Sequence, residues 1–395
     1  MPTFVLTDVA RDVWVERFAT AADLGDAAGP AWSVAKRALR GGRRDGVDLI
    51  EVDNGSLAFA VVPTRGMGLW RGRYKGHRLG WDSPVADGPV HPAFVHLEAD
   101  GGLGWLAGFD EWLVRCGLAS NGAPFEEKAV APDGSERHTI HPLHGRIANI
   151  PAHEVAVHVG EGPAREIVVE GKVTEGRLFG GRVELTARVA TTAGSNRLVV
   201  RDELKNLGAS PADVQLLYHW NFGPPFLEAG ARLVAPFRSV APRDPRAAEG
   251  VDRFDDYGPP VPGATEQVYF ATLSGAGDDG STCILLRDRG LGKGVALRFS
   301  TAELAAFTLW KCEGAEADGY VTGLEPATNY PNPHPFEAAR GRVLRLAPGQ
   351  SVAFETTVEV LDDPDSVAAV VAEIARLSTT PPVVHTRPAE PFSPA

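Results

Sequence analysis

Only three cysteines occur in the 395 residues, Cys116, Cys283 and Cys312, an odd number at wide spacings. That excludes a disulfide framework, and no CxxC pair offers a zinc or redox site. No apolar run approaches the roughly 18 residues that a membrane-spanning helix needs. The N-terminus, MPTFVLTDVARDVW, is too acidic and too interrupted for a signal peptide. Cations are short as well: 39 Lys and Arg face 51 Asp and Glu, a formal net charge of −12. A protein that neutralises phosphates needs clustered positive charge, so nucleic acid is disfavoured as a partner. The one basic cluster, Lys36 to Arg44, is short, is followed by Asp45 and Asp48, and reads as a solvated turn. The expectation is a soluble chain in a reducing, cytoplasmic setting, without a membrane partner.

Common catalytic signatures are missing too. There is no GxxxxGK[ST] loop, no HExxH and no GxSxG. The glycine-rich run Gly101 to Gly108 lacks the preceding strand that a dinucleotide fingerprint requires and reads as a loop packing its tryptophan.

Glycine and proline, by contrast, are abundant. The 44 Gly and 31 Pro make about 19% of the chain, against roughly 12% in average usage. They are dispersed between apolar runs, as many short strands joined by turns require. Alternating apolar and polar residues mark Asp48 to Gly76, His153 to Gly176, Gly180 to Gly208, Ser281 to Glu313 and Arg340 to Val360. Without long helices between them, these strands predict antiparallel sheets packed as an all-β sandwich. Helical character is mixed over residues 17–39, spans two or three turns within Trp105 to Gly117, and is clear in Asp363 to Ser378. There Asp363 precedes Pro364 as an N-cap, and Val367, Val370, Val371, Ile374 and Leu377 repeat at helical spacing. The tail from Thr379 is expected to be extended and peripheral. The predicted organisation is an N-terminal decoration (1–45), one large β domain (46–362), and a C-terminal helix with its tail (363–395).

Three segments place polar residues at strand ends or turns. HPLHGRIANIPA (His141 to Ala152) holds two histidines three apart; such a histidine either bonds a ligand hydroxyl or is satisfied in a turn. LLYHWNFGPP (Leu216 to Pro225) sets Tyr218, His219, Trp220 and Asn221 before a turn, which suits either a polyhydroxylated ligand or a tryptophan core with a paired histidine. In LWKCEGAEADGYVTGLEPATNYP (Leu309 to Pro331), Glu325 sits before Pro326 as a general base or as a surface carboxylate at a turn.

Together with PTRGMGLWRGRYKGHRLGW (Pro63 to Trp81) and GGLGWLAGFDEWLVRCGL (Gly101 to Leu118), these segments resemble the aldose 1-epimerase (galactose mutarotase-like) superfamily. The resemblance is closest to a divergent bacterial branch of unknown function and covers Asp48 to Val360. It implies a galactose mutarotase-like antiparallel β-sandwich. It also implies an isomerase that interconverts the anomers of a free monosaccharide by acid–base ring opening and closure, with no metal or cofactor. In that family's pattern LHG gives His144, the His-aromatic-Asn segment 75 residues later gives His219, and the Leu-Glu near the C-terminus gives Glu325. The resemblance makes His219 the acid on the ring oxygen, Glu325 the base on the anomeric hydroxyl, and His144 a supporting donor. Arg65, with Arg71 as the alternative, matches a hydroxyl-binding arginine, and Trp81, Arg146, Asn221, Lys311 and Asn329 are further candidate sugar contacts. A sugar-binding aspartate of the second half has Asp244, Asp255 and Asp256 as candidates. The sugar itself and the choice between monomer and homodimer stay open. A non-catalytic carbohydrate-binding or sensing protein, or an epimerase acting at another sugar carbon, are the competing readings.

Overall fold

The computed structural model describes residues 2–21, 31–130, 134–162, 165–178 and 180–394. Among them, two large sheets of ten and fourteen strands face each other, with only short helices around them. Strand alternation builds the core between them. In Arg182–Thr192 and Arg197–Asn206, Leu185, Val189, Val200 and Leu204 point inward from the ten-stranded sheet. In Ala212–Phe222, Leu216, Tyr218, Trp220 and Phe222 meet them from the fourteen-stranded sheet. The predicted antiparallel sandwich is therefore the observed fold.

One pair of charges crosses that core. Arg115 donates to both carboxylate oxygens of Asp202 at 2.5 and 2.9 Å, and both side chains are fully buried. Arg115 lies on Leu113–Leu118 of one sheet and Asp202 on Arg197–Asn206 of the other, so the pair ties the layers at one register.

Several local expectations need adjustment. The described part of 17–39 is strand, Phe18–Ala21 paired with Ser33–Ala38, and residues 22–30 lie outside the described residues. The segment read as two or three helical turns is a 3-10 stretch, Gly104–Gly108, followed by the strand Leu113–Leu118. Residues before 46 enter both sheets: Thr3–Asp8 pairs with Glu154–Val159, and Ser33–Ala38 with Asp48–Asp53. The helix Pro364–Leu377 forms with Asp363 as its cap, whose Oδ1 accepts from the Ser366 amide at 2.8 Å. It buries Val367, Val370 and Ile374 against Cys283 and Leu285. The tail is extended, yet it docks: Val383–Val384 pairs with Phe237–Pro242, and Phe392 packs on Tyr330. No helix among the described residues is long and apolar enough to cross a membrane.

The outer face of the fourteen-stranded sheet is covered in part by residues 81–109. Trp81, Val90, Val95, Leu97, Trp105 and Phe109 pack on Val114, Cys116, Leu217, Val321 and Ala327, the side chains that alternate away from the inter-sheet core.

Candidate active site

That covered face carries His219, Asn221 and Glu325. On Ala212–Phe222, Tyr218, Trp220 and Phe222 go to the core, so His219 and Asn221 must point outward. Val321–Ala327 is the neighbouring antiparallel strand, with Trp220 opposite Leu324, and Leu324 likewise faces the core. Glu325 thus emerges beside His219. Residues 106 positions apart in sequence become cross-strand neighbours on one face.

His219 Nε2 lies 3.2 Å from Glu325 Oε1, with both side chains almost entirely buried. The contact lacks hydrogen-bond alignment, and Glu325 Oε1 has no hydrogen-bond partner. Room for this arrangement comes from Gly323. A Cβ there would stand 2.5 Å from Glu325 Oε1 and 3.0 Å from His219 Cε1. Burial pushes Glu325 well above the usual carboxylate value of 4.5, aided by the Glu266 carboxylate. Burial also holds His219 well below 6.5, with His144 adding to the shift.

Rings box His219 in. Phe109 is 5.1 Å away, Trp310 and His144 are each 5.4 Å away, and Trp105 is 6.3 Å away, centroid to centroid. His144 is held by a strained turn, at φ 58° in the left-handed region, followed by Gly145, whose Cβ would come 2.2 Å from the carbonyl oxygens of Gly117 and Ser120. Its Nδ1 donates to the Asn121 carbonyl at 2.9 Å, and burial lowers its pKa to about 4. In that neutral form Nε2 carries the lone pair, so this atom can accept a hydrogen bond and cannot donate one.

Behind the pair stands a bonded support. Asn221 Oδ1 meets His219 Nδ1 at 2.7 Å, and Asn221 Nδ2 donates to the carbonyls of Glu111 and His219, each at 3.0 Å. Trp81 Nε1 donates to the same Glu111 carbonyl at 3.1 Å. The Glu111 carboxylate is paired with Arg65, which also donates to Val90 O at 3.1 Å and Asn149 Oδ1 at 2.9 Å. Arg65, Asn221 and Trp81 are therefore brought to the His219 centre as its scaffold. Asn329 is fully buried in a mutual amide pair with Asn121 at 3.1 and 3.2 Å, which holds the loop that binds His144.

Other expected contacts lie elsewhere. Arg71 is exposed and stacks on Trp70 at 4.1 Å. Arg146 pairs with Glu98 at 2.7 Å and lines a separate crevice with His141, Glu175 and His334. Lys311 alternates to the face opposite Trp310, over Tyr257, and donates to Asp256 O at 2.6 Å. Asp244 caps a short helix, and Asp255 and Asp256 pair with Arg232. The acidic group that acts on the centre is Glu266, which accepts from Trp310 Nε1 at 2.7 Å and from Arg243 at 2.8 Å. Glu266, Arg243, Trp310 and Phe109 were not foreseen. Trp310 shares a face with Glu325 because it pairs opposite Gly323, a register that no local pattern gives. No three His, Cys, Asp or Glu side chains among the described residues form a metal-ligand group.

A family model described as "Domain of unknown function (DUF4432)" matches residues 44–360. The chain belongs to the DUF4432 family. A crystal structure of a "putative aldose 1-epimerase" from Klebsiella pneumoniae is 34% identical, with a TM-score of 0.91 over 98% of both chains. More remote likenesses show the shared galactose mutarotase-like fold. A galactose mutarotase-like protein from Clostridium acetobutylicum is 13% identical, covering 88% of this chain and 99% of its own, with a TM-score of 0.53. A "putative aldose 1-epimerase" from Escherichia coli K12 is 15% identical over 80% of this chain and 99% of its own, with a TM-score of 0.50. No curated protein matches the sequence. This DUF4432 member thus has the galactose mutarotase-like β-sandwich.

Proposed function

We propose that this DUF4432 protein interconverts the anomers of a free monosaccharide, as an aldose 1-epimerase-type isomerase. The observation that carries the reading is the pair His219 Nε2 and Glu325 Oε1, 3.2 Å apart, side by side and without a hydrogen bond between them. An anomeric carbon bears two oxygens, the ring oxygen and the hydroxyl, and ring opening needs one protonated while the other is deprotonated. Two adjacent proton-exchanging atoms match that need. The proton leaves the hydroxyl, the bond from carbon to ring oxygen breaks with its electron pair going to that oxygen, and the oxygen takes up a proton. Rotation of the aldehyde and reversal of these transfers close the ring on the other face. Trp105, Phe109 and Trp310 supply the apolar walls that cover a sugar face, and His144 accepts from one of its hydroxyls.

Magnetisation-transfer NMR or polarimetry across a panel of aldoses tests the reading. We expect acceleration with at least one sugar, lost by a factor of about 10² or more in His219→Ala and Glu325→Gln, as removal of a general acid or base requires. Sugar binding without turnover would make the protein a carbohydrate binder, and inversion at another carbon would make it a different epimerase.

A further inference from the structure

We propose that Asn221 is a positioning residue that keeps the His219 proton on Nδ1, so that in the resting site His219 Nε2 accepts a proton and Glu325 donates one. The inference rests on the reading of these two residues as the acid–base pair, and it reverses the roles that family resemblance implies.

The amide orientation decides the tautomer. Asn221 Nδ2 is committed to two carbonyl oxygens, those of Glu111 and His219, at 3.0 Å each, and carbonyls only accept. The atom left facing His219 is therefore Oδ1, at 2.7 Å, and it needs a hydrogen from Nδ1. A neutral imidazole with its hydrogen there has a bare lone pair on Nε2. The Nε2 contact to Glu325 Oε1 at 3.2 Å carries no hydrogen bond, so the structure shows no Nε2–H held by the carboxylate. With Nε2 the acceptor of the pair, the proton that the ring oxygen needs falls to Glu325, and burial favours the uncharged form of each partner. The titratable and charged groups facing the pair are His144, Cys116, Glu266 and Arg243, and the covering segment contributes the uncharged rings of Trp105 and Phe109. In the forward step the Glu325 O–H protonates the ring oxygen while Nε2 takes the hydroxyl proton. The pair becomes carboxylate and imidazolium until ring closure returns both protons.

Nitrogen-15 NMR of imidazole-labelled wild-type protein tests this without any sugar, the His219 signals being assigned by their loss in His219→Gln. We expect a pyrrole-type Nδ1 and a pyridine-type Nε2 at neutral pH. An imidazolium, or the proton on Nε2, would overturn the inference and leave the mutarotase reading standing. Absence of turnover with every sugar would sink that reading and leave the tautomer intact. Asn221→Asp supplies a second readout. A carboxylate on Nδ1–H should raise the acidic limb of kcat/KM by about one to three pH units, and an unmoved limb counts against Asn221 acting through His219.

Discussion

Gly323 shows how little space separates a working pair from a blocked one. Its missing Cβ is the space that the Glu325 carboxylate and the edge of the His219 ring occupy, at 2.5 and 3.0 Å from where a methyl would sit. Real Cβ contacts do not tolerate the shorter distance, so Gly323→Ala must displace Glu325. The Leu324 and Thr322 side chains point elsewhere, and the strand pairing with Ala306–Cys312 needs no change. We expect anomer exchange to fall by about 10²-fold, as for a misplaced catalytic group, while the melting temperature shifts by only a few degrees. Parallel kinetic and thermal measurements check this. A variant with wild-type turnover would show that Glu325 works from another position. The same residue-scale logic bears on pH. With His219 depressed below 6.5 and Glu325 raised above 4.5, the neutral pair spans the interval between the two shifted values. The kcat/KM profile should therefore show an acidic limb displaced below the usual histidine value and a basic limb displaced above the usual carboxylate value.

At the scale of elements, the sheet pairing does what sequence spacing does not reveal. His219 and Glu325 come from strands that hydrogen-bond directly, although 106 residues separate them in sequence. Order in the sheet is set by long-range pairing, which no local pattern encodes, and here the strand 321–327 lies between 212–222 and 306–312. Period-two alternation was legible within each strand, where it sets His219 with Asn221 and turns Lys311 away from Trp310, but only the pairing register brings His219, Asn221, Trp310 and Glu325 to one face. The bonded scaffold of Arg65, Glu111 and Asn221 was not legible, because an arginine in a PTRGMG turn gives no hint of a carboxylate 46 residues on. The sandwich itself was, since its strands alternate cleanly. Its layers are also coupled by charge. Asp202→Ala leaves Arg115 fully buried beside Met67 O with no carboxylate, an uncompensated charge that should cost about 3–5 kcal/mol. Urea unfolding would read this as a lower midpoint, and replacing both residues by apolar side chains should recover much of the loss.

For the molecule as a whole, the site is a source of instability that the remaining core must offset. In the unfolded chain Glu325 ionises above its usual value of 4.5, while the folded protein keeps it neutral to higher pH. Stability fully present below that value is therefore lost as pH rises toward the folded pKa, at about 1.4 kcal/mol per pH unit for one proton. His219 and His144 act with the opposite sign. Their folded values lie below 6.5, so the stability they leave intact above that value is lost as pH falls. The two trends overlap through the mildly acidic range. Glu325→Gln removes the first and keeps the second. A glutamine amide cannot ionise in either state, so the variant should be the more stable protein at neutral pH while the proposed anomer exchange falls by about 10² or more, the trade between function and stability that the proposed role of Glu325 entails. Its advantage over wild type should be smallest near the usual carboxylate value of 4.5 and grow as pH rises toward the folded value of Glu325, since over that interval only the wild-type unfolded state gains ionisation free energy. Urea titrations of both proteins at several pH values from about 5 upward measure the difference directly. A constant offset would mean that Glu325 has the same proton affinity in the folded and unfolded chains.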